Sequence, residues 1–261
     1  MGRRKKSLFR AVSFVLLLLC TTGAVSYGQS FKDYRLKVKE SFPHDVSGYT
    51  QGLFFHEGAL YESTGQYGSS SFRKVDLNTG NIESRLDFPA EFFVEGSCAI
   101  ENRLYVLTWY EETCFVYDIN TFDLIAQFRY AGEGWGLTTD GNSLIMSDGT
   151  SVISFRDPVT FLQTKKITVR LNGREISYLN ELEYINGKIW ANIYGLDYIL
   201  IIDPNTGNVE GRVDCNGLLE SQYRNSYVDV LNGIAYNPED GTIYLTGKYW
   251  PKLYEIALIE K

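Results

Sequence analysis

The sequence predicts an all-β fold, a five-bladed β-propeller, on three observations. Segments of similar pattern recur five times, with anchors at Gly52, Gly96, Gly136, Glu181 and Gly233 spaced by 44, 40, 45 and 52 residues. Four short strands at such a period are the signature of a propeller blade. Helical periodicity is absent, and the breaks between apolar runs are the Gly/Asn/Asp-rich turns that hairpins require.

Taken in chain order, the elements begin with a leader. Arg3, Arg4, Lys5, Lys6 and Arg10 precede the apolar run AVSFVLLLL at 11–19, and small residues follow. This is the pattern of a signal peptide over residues 1–26, with cleavage after Ser26. It implies an exported protein, periplasmic or secreted. The run is too short to span a bilayer. Lipid anchoring through Cys20 fits less well, because Leu19 stands where a lipoprotein signal wants a small residue. Residues 27–261 then form the propeller domain. Its first stretch, DYRLKVKESFP, reads as an outer strand.

The blades follow. Their first hairpins are YTQGLFFHEGALYEST (49–64), FVEGSCAIENRLYVLTW (93–109), EGWGLTTDGNSLIMSDG (133–149), YLNELEYINGKIWANIY (178–194) and VLNGIAYNPEDGTIYLTGK (230–248). Third strands are RKVDL, CFVYDI, VISFRD, YILIIDP and KLYEIAL; fourth strands are NIESRLDF, DLIAQFRY, TKKITVR and VEGRVD. The fifth blade lacks a fourth strand of its own, and the N-terminal stretch supplies it. Closing the ring that way leaves no open seam.

Composition narrows the function. Five of the 25 basic residues lie in the leader, leaving 20 against 32 acidic groups, a net −12 for the mature chain. That argues against nucleic acid as a partner. Two histidines, His44 and His56, leave little for a zinc site and lie in loop-like strings; no catalytic role is assigned to them. Cys98, Cys114 and Cys215 are an odd set, read as small buried hydrophobes rather than a disulfide scaffold. No N-x-S/T sequon occurs in the chain.

A propeller's first strands line its channel, so their starts converge at one mouth. Those starts supply Gln51, Glu95, Trp135, Asn180 and Asn232, and second-strand ends supply Trp109, Tyr194 and Lys248, with Ser147-Asp148 in the third blade. One carboxylate, one lysine, several amides and aromatic walls describe a pocket for a small polar group. Each residue also has a plain structural reading: Glu95 satisfying backbone donors, Lys248 as a rim lysine with Lys252 as its neighbour, the amides tying strands, the aromatics packing blades. Trp190 and Trp250 are read as packing residues.

The strings YTQGL, FVEGS, LTW, EGWGLT, LNELEYI and LTGKYWPKLYEI, in this order over residues 49–258, resemble the plant-type and bacterial glutaminyl cyclases. That family is a five-bladed propeller. The resemblance implies a glutaminyl-peptide cyclotransferase, which turns an N-terminal glutamine into pyroglutamate and releases ammonia. It implies catalytic roles for Glu95, Lys248, Asn180 and Gln51, with Glu95 shuttling a proton from amine to leaving ammonia. It implies a substrate pocket walled by Trp135, Trp109, Tyr194 and Tyr49, to which Phe93 and the first-strand residue Asn232 are added. No cofactor is needed for the reaction; a structural Ca2+ is compatible. The expected partners are peptides or proteins with N-terminal Gln, acted on by a monomer with no membrane span. Tyr49 departs from the family's usual Phe, Tyr194 from its Trp, and Val94 from a small residue, which touches pocket shape.

Two other classes stand beside this one. A metal-dependent propeller hydrolase, lactonase-like, would bind Ca2+ through Glu95, Asn180, Glu181 and Asn232, since oxygen donors suit that ion. A non-catalytic binding propeller would use the same mouth without turnover.

Overall fold

Short alternating or fully apolar runs between tight turns leave the backbone one regular option, the antiparallel ladder. The computed structural model describes residues 31–261. The leader assigned to 1–26, and Cys20 with it, lie outside the described residues. The chain opens with β1 (Lys32–Pro43) and continues through four-stranded meanders. The first is β2 (Thr50–His56), β3 (Ala59–Thr64), β4 (Ser71–Val75) and β5 (Ile82–Asp87). The second is β6 (Val94–Ile100), β7 (Arg103–Thr108), β8 (Thr113–Asp118) and β9 (Leu124–Arg129). The third is β10 (Leu137–Thr139), β11 (Leu144–Ser147), β12 (Val152–Arg156) and β13 (Gln163–Thr168).

A small hairpin follows, β14 (Arg170–Leu171) and β15 (Arg174–Glu175), which the repeat pattern does not anticipate. The fourth meander is β16 (Leu179–Ile185), β17 (Lys188–Ile193), β18 (Tyr198–Ile202) and β19 (Val209–Asp214). The fifth is β20 (Leu231–Asn237), β21 (Thr242–Gly247) and β22 (Lys252–Glu260), completed by β1 running antiparallel to β22 from Tyr34–Glu260 to Pro43–Lys252. The expected outer strand is therefore in place. It does one thing more: Lys32–Arg35 also pair in parallel with Gly211–Asp214 of β19, so the fourth and fifth meanders form one eight-stranded sheet. Among the described residues the helical content is one 3-10 turn, Ser221–Tyr223. No helix there is long and apolar enough to cross a membrane.

The first strands touch in a closed cycle, β2 to β6 to β10 to β16 to β20 and back to β2. Apolar residues between the sheets form the core, as in the cluster of Phe54, Tyr61, Phe72, Val94, Val106 and Phe115. Val94 belongs to that cluster and is fully buried, so it faces away from the mouth and does not shape the pocket as its departure from the family pattern suggests. His56 closes strand β2 rather than lying in a loop. Trp190 and Trp250 are core residues, and the three cysteines are buried and free, as expected.

The repeat's glycines have a steric reason. A Cβ on Gly136 would stand 2.0 Å from the Asn180 carbonyl oxygen, and one on Gly96 2.4 Å from the Leu137 nitrogen. Neighbouring first strands approach too closely there for any side chain. Glu181 holds the same place in the fourth repeat. Its carboxylate instead crosses the channel, accepting from the backbone N–H of Leu53 at 3.3 Å and of Ile234 at 3.0 Å.

Candidate active site

Four of the first hairpins shift register at their opening residues: between Thr50 and Gly52, Val94 and Ser97, Leu179 and Leu182, and Leu231 and Ile234. These irregularities fall on Gln51, Glu95, Asn180 and Asn232. A bulge interrupts the ladder and re-aims a side chain that a regular strand would direct into a neighbour. Gln51, Glu95 and Asn180 are thereby presented at the mouth, while the residues after the bulges resume ordinary pairing.

There a cavity of about 210 Å3 is lined by Tyr49, Gln51, Gln66, Phe93, Glu95, Trp109, Trp135, Asn180, Tyr194 and Lys248. It is smaller than the roughly 300–1,000 Å3 of a drug-sized site and suits one residue's side chain. Nine of the ten residues expected from the sequence meet in it. Asn232 does not: it is fully buried behind Gln51, donating from Nδ2 to the Thr50 carbonyl at 2.9 Å and to Gln51 Oε1 at 3.3 Å. It supports Gln51 instead of lining the substrate's space. Lys252 lies on β22 with its ammonium 5.9 Å from the Tyr223 ring, away from the lining.

Gln66 was not anticipated, although the signal is present. Trp109, Tyr194 and Lys248 each directly follow a second strand, and the equivalent position in the first repeat is Gly65. A Cβ on Gly65 would lie 2.3 Å from the Phe93 ring. The position is yielded to Phe93, and the next residue, Gln66, reaches the lining.

The walls are aromatic. Phe93 meets Tyr49 and Trp109 edge-on at 6.0 and 5.4 Å, and Trp135 meets Tyr194 at 5.9 Å. Trp109 stacks on Tyr110 at 4.0 Å. Lys248 places its ammonium 4.3 Å from the Tyr49 ring centroid and 5.2 Å from that of Tyr194, a cation held on π-faces.

Burial governs the charges. Glu95 and Lys248 are 4% and 2% exposed. Burial pushes the Glu95 carboxyl well above the usual carboxylate range, Lys248 opposes the shift, and Glu133 and Glu111 add to it. Burial also lowers the Lys248 ammonium to about 8, against the pull of Glu95 and Asp229. A carboxyl able to hold a proton therefore shares a cavity with an amine able to lose one. Asn180 Oδ1 is buried without a partner among the described residues, an acceptor free for a ligand N–H. Of the calcium donors considered above, Glu181 spends its carboxylate on two backbone amides and Asn232 lies behind Gln51. Among the described residues no three His, Cys, Asp or Glu side chains converge as a metal site.

The lysine's turn is fixed from the first unit. The His44 side chain, itself buried, bonds the Trp250 carbonyl at 2.7 Å and Glu62 at 3.2 Å, and Thr50 Oγ1 donates to the same Glu62 oxygen at 2.7 Å. This links the Gln51 strand to the turn after Lys248 through side chains the sequence reading left without a role.

Comparison with known proteins agrees with this picture. A family model described as glutamine cyclotransferase matches residues 11–258. A glutaminyl-peptide cyclotransferase of Arabidopsis thaliana is 44% identical over 229 residues, covering 85% of this chain and 71% of the relative. The crystal structure of Myxococcus xanthus glutaminyl cyclase superposes with a TM-score of 0.83 at 34% identity, covering 89% of this chain and 100% of that one.

Proposed function

Because the chain belongs to the glutamine cyclotransferase family and acts as a glutaminyl-peptide cyclotransferase, we propose that its substrates are peptides or proteins with an N-terminal glutamine, cyclised in the cavity around Glu95. The observation that carries this is one buried carboxyl and one buried lysine lining the same aromatic-walled cavity.

The α-amine of the glutamine attacks its own side-chain amide carbon, a ring closure helped by the tether between them. Glu95 enters as the carboxylate and takes a proton from the attacking nitrogen. The C–N bond to the amide nitrogen then breaks, and Glu95 returns the proton to that nitrogen, which leaves as ammonia. One residue serves as base and then acid, and its raised proton affinity suits both tasks. The Lys248 ammonium stabilises the oxyanion formed between the steps. Asn180 and Gln51 orient the amide, Asn180 by accepting its N–H and Gln51 held from behind by Asn232. Tyr49, Phe93, Trp109, Trp135 and Tyr194 exclude water and strengthen these contacts.

The same proposal reads the five meanders as blades of one closed propeller, supported by the cycle of first-strand contacts. It takes residues 27–261 as a monomeric domain exported by the 1–26 leader, and the reaction as needing no cofactor.

The experiment is a Gln-initiated peptide weighed before and after incubation, with and without a chelator. Loss of ammonia in both is the expected result; an unchanged mass favours a binding module, and loss only without chelator a metal enzyme. In Glu95→Gln, turnover should fall by roughly 10²–10⁴-fold with the thermal midpoint retained. Undiminished turnover would sink the role given to Glu95.

A further inference from the structure

We propose that Glu133 is the positioning residue for both tryptophan walls, one carboxylate oxygen fixing the indoles of Trp109 and Trp135 and with them the width of the mouth. Trp109 Nε1 donates to Glu133 Oε2 at 2.7 Å, and Trp135 Nε1 donates to the same oxygen at 2.9 Å. The two indoles come from different units, Trp109 after β7 and Trp135 before β10. Glu133 itself is half-buried and is not part of the lining. It acts on the substrate's space only through the rings it holds.

The backbone sets this carboxylate in place. Gly134 N–H donates to the Trp109 carbonyl at 3.1 Å, and a Cβ on Gly134 would stand 2.7 Å from the Thr108 carbonyl oxygen. The segment carrying Glu133 therefore presses on the end of β7, and its side chain spans the gap between the two units. Besides the carboxylate, Trp109 makes ring contacts with Phe93 and Tyr110, and Trp135 meets Tyr194 and lies against Gly149, where a Cβ would stand 2.7 Å from the indole. Ring packing alone leaves an indole free to slide in its plane. Hydrogen bonds to an ionised acceptor are short and directional, and two on one atom fix both rings at once.

The inference rests on the reading of this cavity as the reaction site, and two measurements separate the two. In ¹H–¹⁵N spectra without substrate, the indole N–H signals of Trp109 and Trp135, assigned through Trp109→Phe and Trp135→Phe, should both move in E133Q. Those of Trp190 and Trp250 should stay. Unmoved Trp109 and Trp135 signals overturn the contact, whatever the enzyme does. In turnover of a Gln-peptide, E133A should raise KM roughly tenfold with kcat within about threefold, as loss of the two indole hydrogen bonds at a half-buried carboxylate predicts. E133Q, which keeps an acceptor oxygen, should recover most of that loss. In a Trp109→Phe, Trp135→Phe background, E133A should add less than about twofold. A wild-type KM in E133A, or an effect undiminished in that background, overturns the positioning role. If E133A does not fold, the E133Q spectrum decides alone. A wild-type protein inactive on Gln-peptides strikes the functional reading and leaves the spectral test standing.

Discussion

Burial moves Glu95 and Lys248 toward neutrality from opposite sides, and that is the residue-scale basis of the chemistry. If the lysine must be charged to hold an oxyanion, kcat falls as pH rises through about 8, where Lys248 loses its proton. Lys248→Arg, whose guanidinium stays charged, should carry that alkaline limb upward by more than about one unit in a kcat–pH profile. A limb that stays in place would assign it to another group. Lys248→Met should lower kcat by roughly 10²–10³-fold, the range for removing one oxyanion donor. Most of these residues were legible in the sequence because the repeat aligns them. Asn232 was misassigned for the same reason: repeat position alone does not distinguish a residue in the lining from one a layer behind it. Gln66 was passed over because Gly65 occupies its aligned place.

On the scale of elements, β2, β6 and β16 carry residues of the site, and first strands also carry ties between the units. Beyond the bulge, Glu183 of β16 accepts from the Tyr236 N–H at 3.0 Å and from Thr138 Oγ1 at 3.1 Å, joining β16 to β20 and β10. Burial raises its carboxyl to about 8, those hydrogen bonds opposing the shift. The folded protein thus binds a proton there that the unfolded chain releases near its ordinary value of 4.5. The stability this group contributes is complete below 4.5 and is lost as pH rises toward 8. The slope is at most about 1.4 kcal/mol per pH unit. Glu183→Gln should flatten the fall in thermal midpoint between pH 5 and about 8, followed by scanning calorimetry. An equal fall in both proteins would place the linkage elsewhere, Glu181 being the next such carboxyl. The strands themselves were legible from turns and apolar runs. The bulges were not, because nothing in a residue's identity marks where a ladder skips.

For the whole molecule, closure depends on β1. Phe42 is buried in the core between the first and fifth units, and Tyr34 and Leu36 pack beside the fourth and fifth. Without β1, the edges of β22 and β19 are both unpaired. Deleting residues 27–43 should lower the thermal midpoint by about 10 °C or more and promote association, seen by calorimetry and light scattering. An unchanged midpoint would show the ring closed without it. The antiparallel half of this seam was legible, since the fifth repeat lacks a fourth strand and the N-terminus supplies one. The parallel half, which fuses two units into one sheet, was not, because it depends on how far β19 comes from the seam.

The sequence by itself determined the all-β class, the repeat, the order of the strands and most of the side chains at the mouth. It could do so because strand periodicity, turn chemistry and repetition are local signals. Only the tertiary structure decided that the polar residues sit in bulges, that Asn232 stands behind Gln51, and that Glu181 replaces a glycine to reach two other strands. It also decided that one Glu133 oxygen holds two tryptophans. Each of these is a contact between residues far apart in the chain or a break in local regularity, and the net charge of −7 says nothing of them. Burial inside the ring, not bulk charge, sets the proton affinities of Glu95 and Lys248.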